Sequence, residues 1–271
     1  MAARATGGSD VIALLYHDVL APGDPTSGFT GPGADHYHLS ADTLSAHLAL
    51  LVSLRAPLEG GRVALPTIGD PTAALCTFDD GGASAVRRTA PLLEAAGVRG
   101  AFFVPTRWMG TPGFATAAEL RALHDRGHLI GTHTHTHPTR LNALPLSTIE
   151  EEWRTSRRRL EDAIGAAVTI GSVPAGFHGS RVARAAAAAG LTDLFTSEPN
   201  ALVALAHGVR VRGRFSVTSW TPLAEVRDIL AQDAWCLLRL RASWEARKVA
   251  KAVGGQAWFA ARRWLLRLRS N

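Results

Sequence analysis

Two cysteines in 271 residues, Cys76 and Cys236, are too few and too far apart for a disulfide framework or a cysteine-based metal site. Each sits in an apolar stretch and reads as a buried free thiol. Long hydrophobic runs are missing too: no window approaches the roughly 20 apolar residues that cross a bilayer. The apolar segment 11–16 is too short for a signal-peptide core, and no small-residue cleavage site follows it. The expected location is therefore the cytoplasm, with the cytoplasmic membrane face as a peripheral option. There is no internal repeat and no low-complexity linker. Charged residues are only 19 % of the chain against 46 % hydrophobic, a globular and not a disordered balance. No groove-reading motif accompanies the net charge of +6, so no nucleic-acid partner is expected, and no obligate protein partner is evident.

The pattern that is present alternates strands with helices. Val11 to Tyr16, Ala73 to Phe78, Gly100 to Thr106, His128 to His133, Val168 to Val173, Leu194 to Thr196 and Val209 to Val217 read as buried strands. Between them lie helical patterns at 40–51, 84–96, 117–126, 147–164, 181–189 and 222–231, with Ser40 as an N-cap and Ser147/Glu150 as a capping box. Residues 20–39 and 57–71 read as irregular connections. Such alternation implies α/β architecture with a parallel sheet, open or closed into a barrel. The expected domains are residues 1–233, the α/β body, and residues 234–271, a basic amphipathic helical extension. From Arg239 onward nine bases face one acid, a charge of +8 that leaves −2 for the rest of the chain.

Two constellations carry chemistry. Thr77-Phe78-Asp79-Asp80-Gly81-Gly82 places adjacent carboxylates at a strand exit, where glycines let backbone and ligand approach closely. One carboxylate can hold a metal while its neighbour takes a proton. By itself an Asp-Asp-Gly is usually a polar turn, and its companions decide. His133-Thr134-His135-Thr136-His137-Pro138 also follows a strand, and one helical turn would bring His133 and His137 to the same side. Two histidines and one carboxylate make a divalent-metal shell with open positions, and zinc is the leading candidate ion. His135 reads as a bystander, and His128 as the opening of its strand.

These motifs, together with Gly127-His-Leu-Ile-Gly131, resemble the polysaccharide deacetylases of carbohydrate esterase family 4. The resemblance spans about residues 11–217. It implies a distorted (β/α) barrel, here of about seven strands with extra C-terminal helices, that removes acetyl groups from N-acetylated sugars with one metal ion. Carried over by position, it makes Asp79 the general base and Asp80, His133 and His137 the metal ligands. A water made acidic by the metal gives its proton to the carboxylate and attacks the acetamide carbonyl. The family's next motif reads Arg-Pro-Pro-Tyr-Gly, and the matching stretch here is Ser172-Val173-Pro174-Ala175-Gly176-Phe177. Ala175 and Gly176 then stand where the family holds the oxyanion. The arginine is missing, and Arg214 in Arg212-Gly-Arg-Phe215 is one candidate to replace it. The general acid comes from a Leu-x-His near the C-terminus in the usual order. Here Leu15-Tyr16-His17 has that pattern, as in members that look circularly permuted with Tyr-His-Asp-Val (Tyr16 to Val19) placed first, so His17 is the expected acid.

The expected substrate is thus an N-acetylated glycan, polymeric or lipid-linked. A catalytically silent glycan-binding barrel is the alternative suggested by the altered third motif. A metal hydrolase of another C–N amide, such as a cyclic imide or formamide, is a further one. The C-terminal apolar stripe (Trp235, Leu237, Leu238, Trp244 and their successors) either packs on the barrel or contacts a membrane surface.

Overall fold

The computed structural model describes residues 12–25, 27–31, 33–54 and 74–249. The expected connection at 57–71, Val11 and Ala73 at the starts of the first two expected strands, and the tail beyond 249 lie outside these.

Among the described residues, eleven strands and six bounded helices follow in chain order. They are β1 (Ile12–Tyr16), β2 (Val19–Leu20), β3 (Leu39–Ser40), α1 (Ala41–Leu54), β4 (Ala74–Phe78), α2 (Ala90–Ala95), β5 (Gly100–Val104), α3 (Ala117–Asp125) and β6 (Leu129–Thr132). Then come α4 (Leu146–Ile164), β7 (Ile170–Ser172), α5 (Ser180–Ala188), β8 (Asp193–Phe195), β9 (Val203–Ala206), β10 (Val209–Arg212), β11 (Phe215–Ser216) and α6 (Leu223–Leu230). A further helix, α7, occupies 234–249. Nine strands form one sheet in the order β11-β1-β4-β5-β6-β7-β8-β10-β9, while β2 and β3 pair separately. Every pairing in the large sheet is parallel except β9 with β10. The sheet curls into a half-barrel flanked by helices, so the expected distorted (β/α) barrel is the observed fold. Seven strands were legible; β9 was not, because Val-Ala-Leu-Ala is apolar throughout and shows no alternation, and neither were β2 and β3, two-residue strands at the ends of the stretch expected to be an irregular connection.

Burial explains the strands. All five residues of β1 and all five of β5 are buried, as expected of parallel strands covered on both faces. One face meets α1, α2, α3 and α6 in the main core around Leu14, Phe78, Phe102 and Leu230. The concave face is thin: Ala13, Leu75, Ala101, Phe103, Ile170 and Phe195 fill it. Gly131 makes room there, since a Cβ at that position would sit 2.5 Å from the Phe103 ring. Trp153, fully buried on α4, anchors a second core against α5.

Local expectations failed in informative ways. The capping box at Ser147/Glu150 does not form: α4 starts one residue earlier, after Pro145, whose fixed φ sets the entry. The capping box lies on α3, where Thr116 and Glu119 bond each other's backbone N–H. The helix expected at 84–96 opens with a π-helical turn, Ala85–Thr89, before α2. The strand expected at 209–217 breaks at Gly213, where a Cβ would stand 2.4 Å from the Glu198 carbonyl oxygen. Arg210 and Arg212 both reach Asp193, while Arg214, past the break, leaves that row and enters the barrel interior.

Candidate active site

Parallel strands deliver their C-terminal ends to one rim, and the chemistry-bearing residues stand there. Asp79 and Asp80 leave β4, the Asp79 N–H donating to the Tyr16 carbonyl at 3.0 Å. Asp80 and Gly81 both take left-handed backbone, with φ 73° and 63°. A Cβ at Gly81 would press on Val104 at 3.0 Å, so glycine is the residue that fits.

His133 leaves β6, its N–H bound to the Val104 carbonyl. The expected helical turn between His133 and His137 is absent. Thr134 and His137 instead adopt φ of 65° and 57°, and this irregular loop brings the two imidazole centroids to 4.9 Å. Glu152 on α4 holds the loop in shape. One carboxylate oxygen accepts the His135 and Thr136 N–H groups at 2.9 and 2.8 Å, and the other accepts the Thr136 hydroxyl at 2.7 Å. Sequence reasoning missed Glu152, because its contacts are to backbone and leave no motif. His135 turns to the Thr106 hydroxyl and stays out of the site, and His128 is buried between Gly100 and Glu94.

Asp80, His133 and His137 offer three donors within 4.8 Å of one another. The Asp80 Oδ1 stands 3.5 Å from His133 Nε2 and 3.4 Å from His137 Nε2, close to the roughly 3.4 Å between donors around a tetrahedral ion at about 2.1 Å. His133 Nδ1 donates to the Ser172 carbonyl at 2.9 Å, which fixes the tautomer and leaves the Nε2 lone pair facing the cluster. Burial lowers His133 to about 4 and His137 to about 3, so both are neutral, the form that ligates. Burial and the Asp79 charge push Asp80 well above the ordinary carboxylate value. A buried acid beside another acid and two neutral imidazoles is a donor set that a cation completes.

Asp79 is held differently. Arg214, 0 % exposed, grips it with two parallel bonds of 2.8 Å, Nη1 to Oδ1 and Nη2 to Oδ2. The same guanidinium donates to the Ser172 hydroxyl, the Thr77 hydroxyl and the Thr196 carbonyl, and packs over the Phe103 ring. Ser172 in turn donates to Asp79 Oδ2 at 3.0 Å. The cation missing from the third motif is thus supplied from the far end of the sheet. Burial would raise the Asp79 carboxyl, but the Arg214 charge, aided by His133, holds it well below the usual range.

His17 leaves β1 beside this pair, with Nε2 3.9 Å from Asp80 Oδ2 and its ring 4.3 Å from Tyr37. Its Nδ1 is buried with no hydrogen-bond partner among the described residues, and burial lowers the ring to about 4 against the opposing Asp79 charge. Ala175, with φ 53°, is exposed at the exit of β7. The Gly176 N–H is already bound to the Val173 carbonyl at 3.3 Å, and a Cβ there would strike the Ser197 hydroxyl.

The loop clamp gives a direct expectation. Glu152→Ala should weaken the affinity of the Asp80, His133 and His137 cluster for a divalent ion by about 10- to 100-fold, measured by competition with a chelating dye. Unchanged affinity would show that the loop holds its shape without Glu152.

Residues 68–194 match the model of a family described as polysaccharide deacetylase. That span holds Asp79, Asp80, His133, His137, Ser172 and Ala175, while His17 and Arg214 lie outside it. No curated protein matches the sequence. Among solved structures, the Streptococcus pyogenes deacetylase PplD in complex with acetate superposes with a TM-score of 0.65 at 16 % identity, covering 83 % of this chain and 98 % of that one. A de-N-acetylase from Aggregatibacter actinomycetemcomitans gives 0.64 at 20 % identity, with coverages of 81 % and 99 %. IcaB from Ammonifex degensii gives 0.63 at 22 %, with 85 % and 98 %. At such identities the likeness is one of fold.

Proposed function

We propose that this chain, which carries a polysaccharide deacetylase domain, removes N-acetyl groups from an amino-sugar glycan with the help of a divalent cation. The observation that carries the reading is the convergence of Asp80, His133 and His137 beside a second carboxylate, Asp79, that Arg214 keeps ionised.

Asp80, His133 and His137 would hold the ion, with zinc the first to test. Bound there, such an ion supplies an acidified water and polarises the acetamide carbonyl. Asp79 accepts the proton of the attacking water. Its carboxylate is a weak base, which would suffice for a water acidified by an ion held there, and Arg214 and Ser172 keep it aimed while leaving one lone pair of Oδ1 free. Ala175, an exposed residue, offers its N–H to the negative charge that develops on the acetyl carbonyl oxygen. Gly176, its own N–H engaged, allows the turn that presents Ala175. His17 delivers a proton to the leaving sugar nitrogen. The ring is neutral at rest, so it takes up one proton from solvent as negative charge builds up in the site and passes it to the amine, while the proton held by Asp79 returns to solvent once acetate has left. The silent-barrel alternative arose from the missing arginine, and Arg214 now makes that contact.

Acetate release from N-acetylglucosamine oligomers tests the reading. Chelation should abolish release and added zinc should restore it, while Asp80→Ala should purify without stoichiometric metal. Full release after chelation, or full metal content in Asp80→Ala, would overturn it.

A further inference from the structure

The helix α7 carries two apolar stripes. Cys236, Leu237, Leu240 and Trp244 recur at helical spacing; Cys236 is buried, and Leu237 and Leu240 pack on the main core. Trp235, Leu238, Ala242, Ala246 and Val249 also share one face, and all are exposed: Trp235 by 79 %, Leu238 by 59 % and Val249 by 61 %. A helix that only packs on a barrel needs the first stripe alone.

We infer that this second face docks the protein on an anionic lipid surface. Charge and composition point to that occupant. Arg239 and Arg241 are engaged by acids of the body, but Arg247 and Lys248 stand beside the stripe with Glu245 as the lone acid of the helix, and residues 250–271 add five bases and no acid. Tryptophan beside arginine on an amphipathic helix suits the headgroup layer, where the ring is half-wet and the bases meet phosphate. No described helix is long and apolar enough to cross a membrane, so the contact lies in the surface plane. Two anchors fix how the helix presents this face. Arg239 pairs with Glu225 on α6 at 2.7 Å, and Arg241 pairs with Glu198. The Glu198 carbonyl accepts the Arg214 N–H, which ties the helix to the rim that carries Asp79. On the reading proposed above, docking would bring that rim near lipid-borne glycan.

Cosedimentation with vesicles tests this without reference to activity. The full chain should bind vesicles of phosphatidylcholine with about 30 % phosphatidylserine, bind pure phosphatidylcholine weakly, and lose affinity as salt rises. Trp235→Ser with Leu238→Ser, both solvent-facing substitutions, should cut partitioning by about tenfold or more. The same variant should release acetate from a soluble oligomer at the wild-type rate, so a failed lipid contact stays distinct from a failed enzyme assignment. Equal binding by the double variant, or none by the full chain, would overturn the inference and leave this face to a protein or to the chain's own 250–271 segment.

Discussion

Arg214→Met should destabilise the protein by about 3–5 kcal/mol, because it strands the buried Asp79 carboxylate without its counter-charge. The shift would appear as a lower urea midpoint with unchanged slope. Acetate release should fall as well, by about 10- to 100-fold, since Asp79 loses both its orientation and the charge that keeps it ionised. With the guanidinium gone, burial acts on Asp79 without its main opposing charge and its carboxyl rises. Arg214→Lys separates charge from geometry. A lysine retains the positive charge but cannot make two parallel bonds, so this variant should recover more stability than activity. Wild-type stability and rate in Arg214→Met would show that the pair does not organise the site.

His17→Ala should leave the metal in place and slow turnover by about 10²- to 10⁴-fold, the range of a lost proton-transfer group. Metal content measured beside kcat makes this decisive, because His17 is not among the three converging donors. A leaving group more acidic than a sugar amine, such as an acetylated aniline, should rescue much of the loss, as it needs little protonation. Full activity on the sugar substrate would remove His17 from the reaction. Loss of metal instead of rate would make it a ligand.

The reach of the sequence is clearest at particular residues. Asp79 and Asp80 were legible because a buried strand ending in two acids and two glycines is a local pattern. His133 and His137 were legible for a local but incorrect reason: a helical turn was the simplest way to align them, whereas left-handed Thr134 and His137 do it. Glu152 was invisible, since a carboxylate that binds backbone N–H groups looks like any other charge on an amphipathic helix. Arg214 stood between these cases. The gap at Ser172 showed that a cation was missing, but nothing local distinguishes Arg214 from Arg210 or Arg212, which serve Asp193.

By itself the sequence determined the alternation of strands and helices, the rim at which chemistry collects, and the two short motifs that carry Asp79, Asp80, His133 and His137. These follow from periodicity and local pattern, which act over a few residues, whereas the roles proposed for these residues and for His17 came from the resemblance to the deacetylases. The tertiary structure decided which arginine meets Asp79, 135 positions away, which carbonyl orients His133, 39 positions away, and how α7 divides its apolar surface between core and solvent. Such pairings depend on where the curled sheet brings distant strand ends together, and on a strand break set by the close approach of backbone at Gly213.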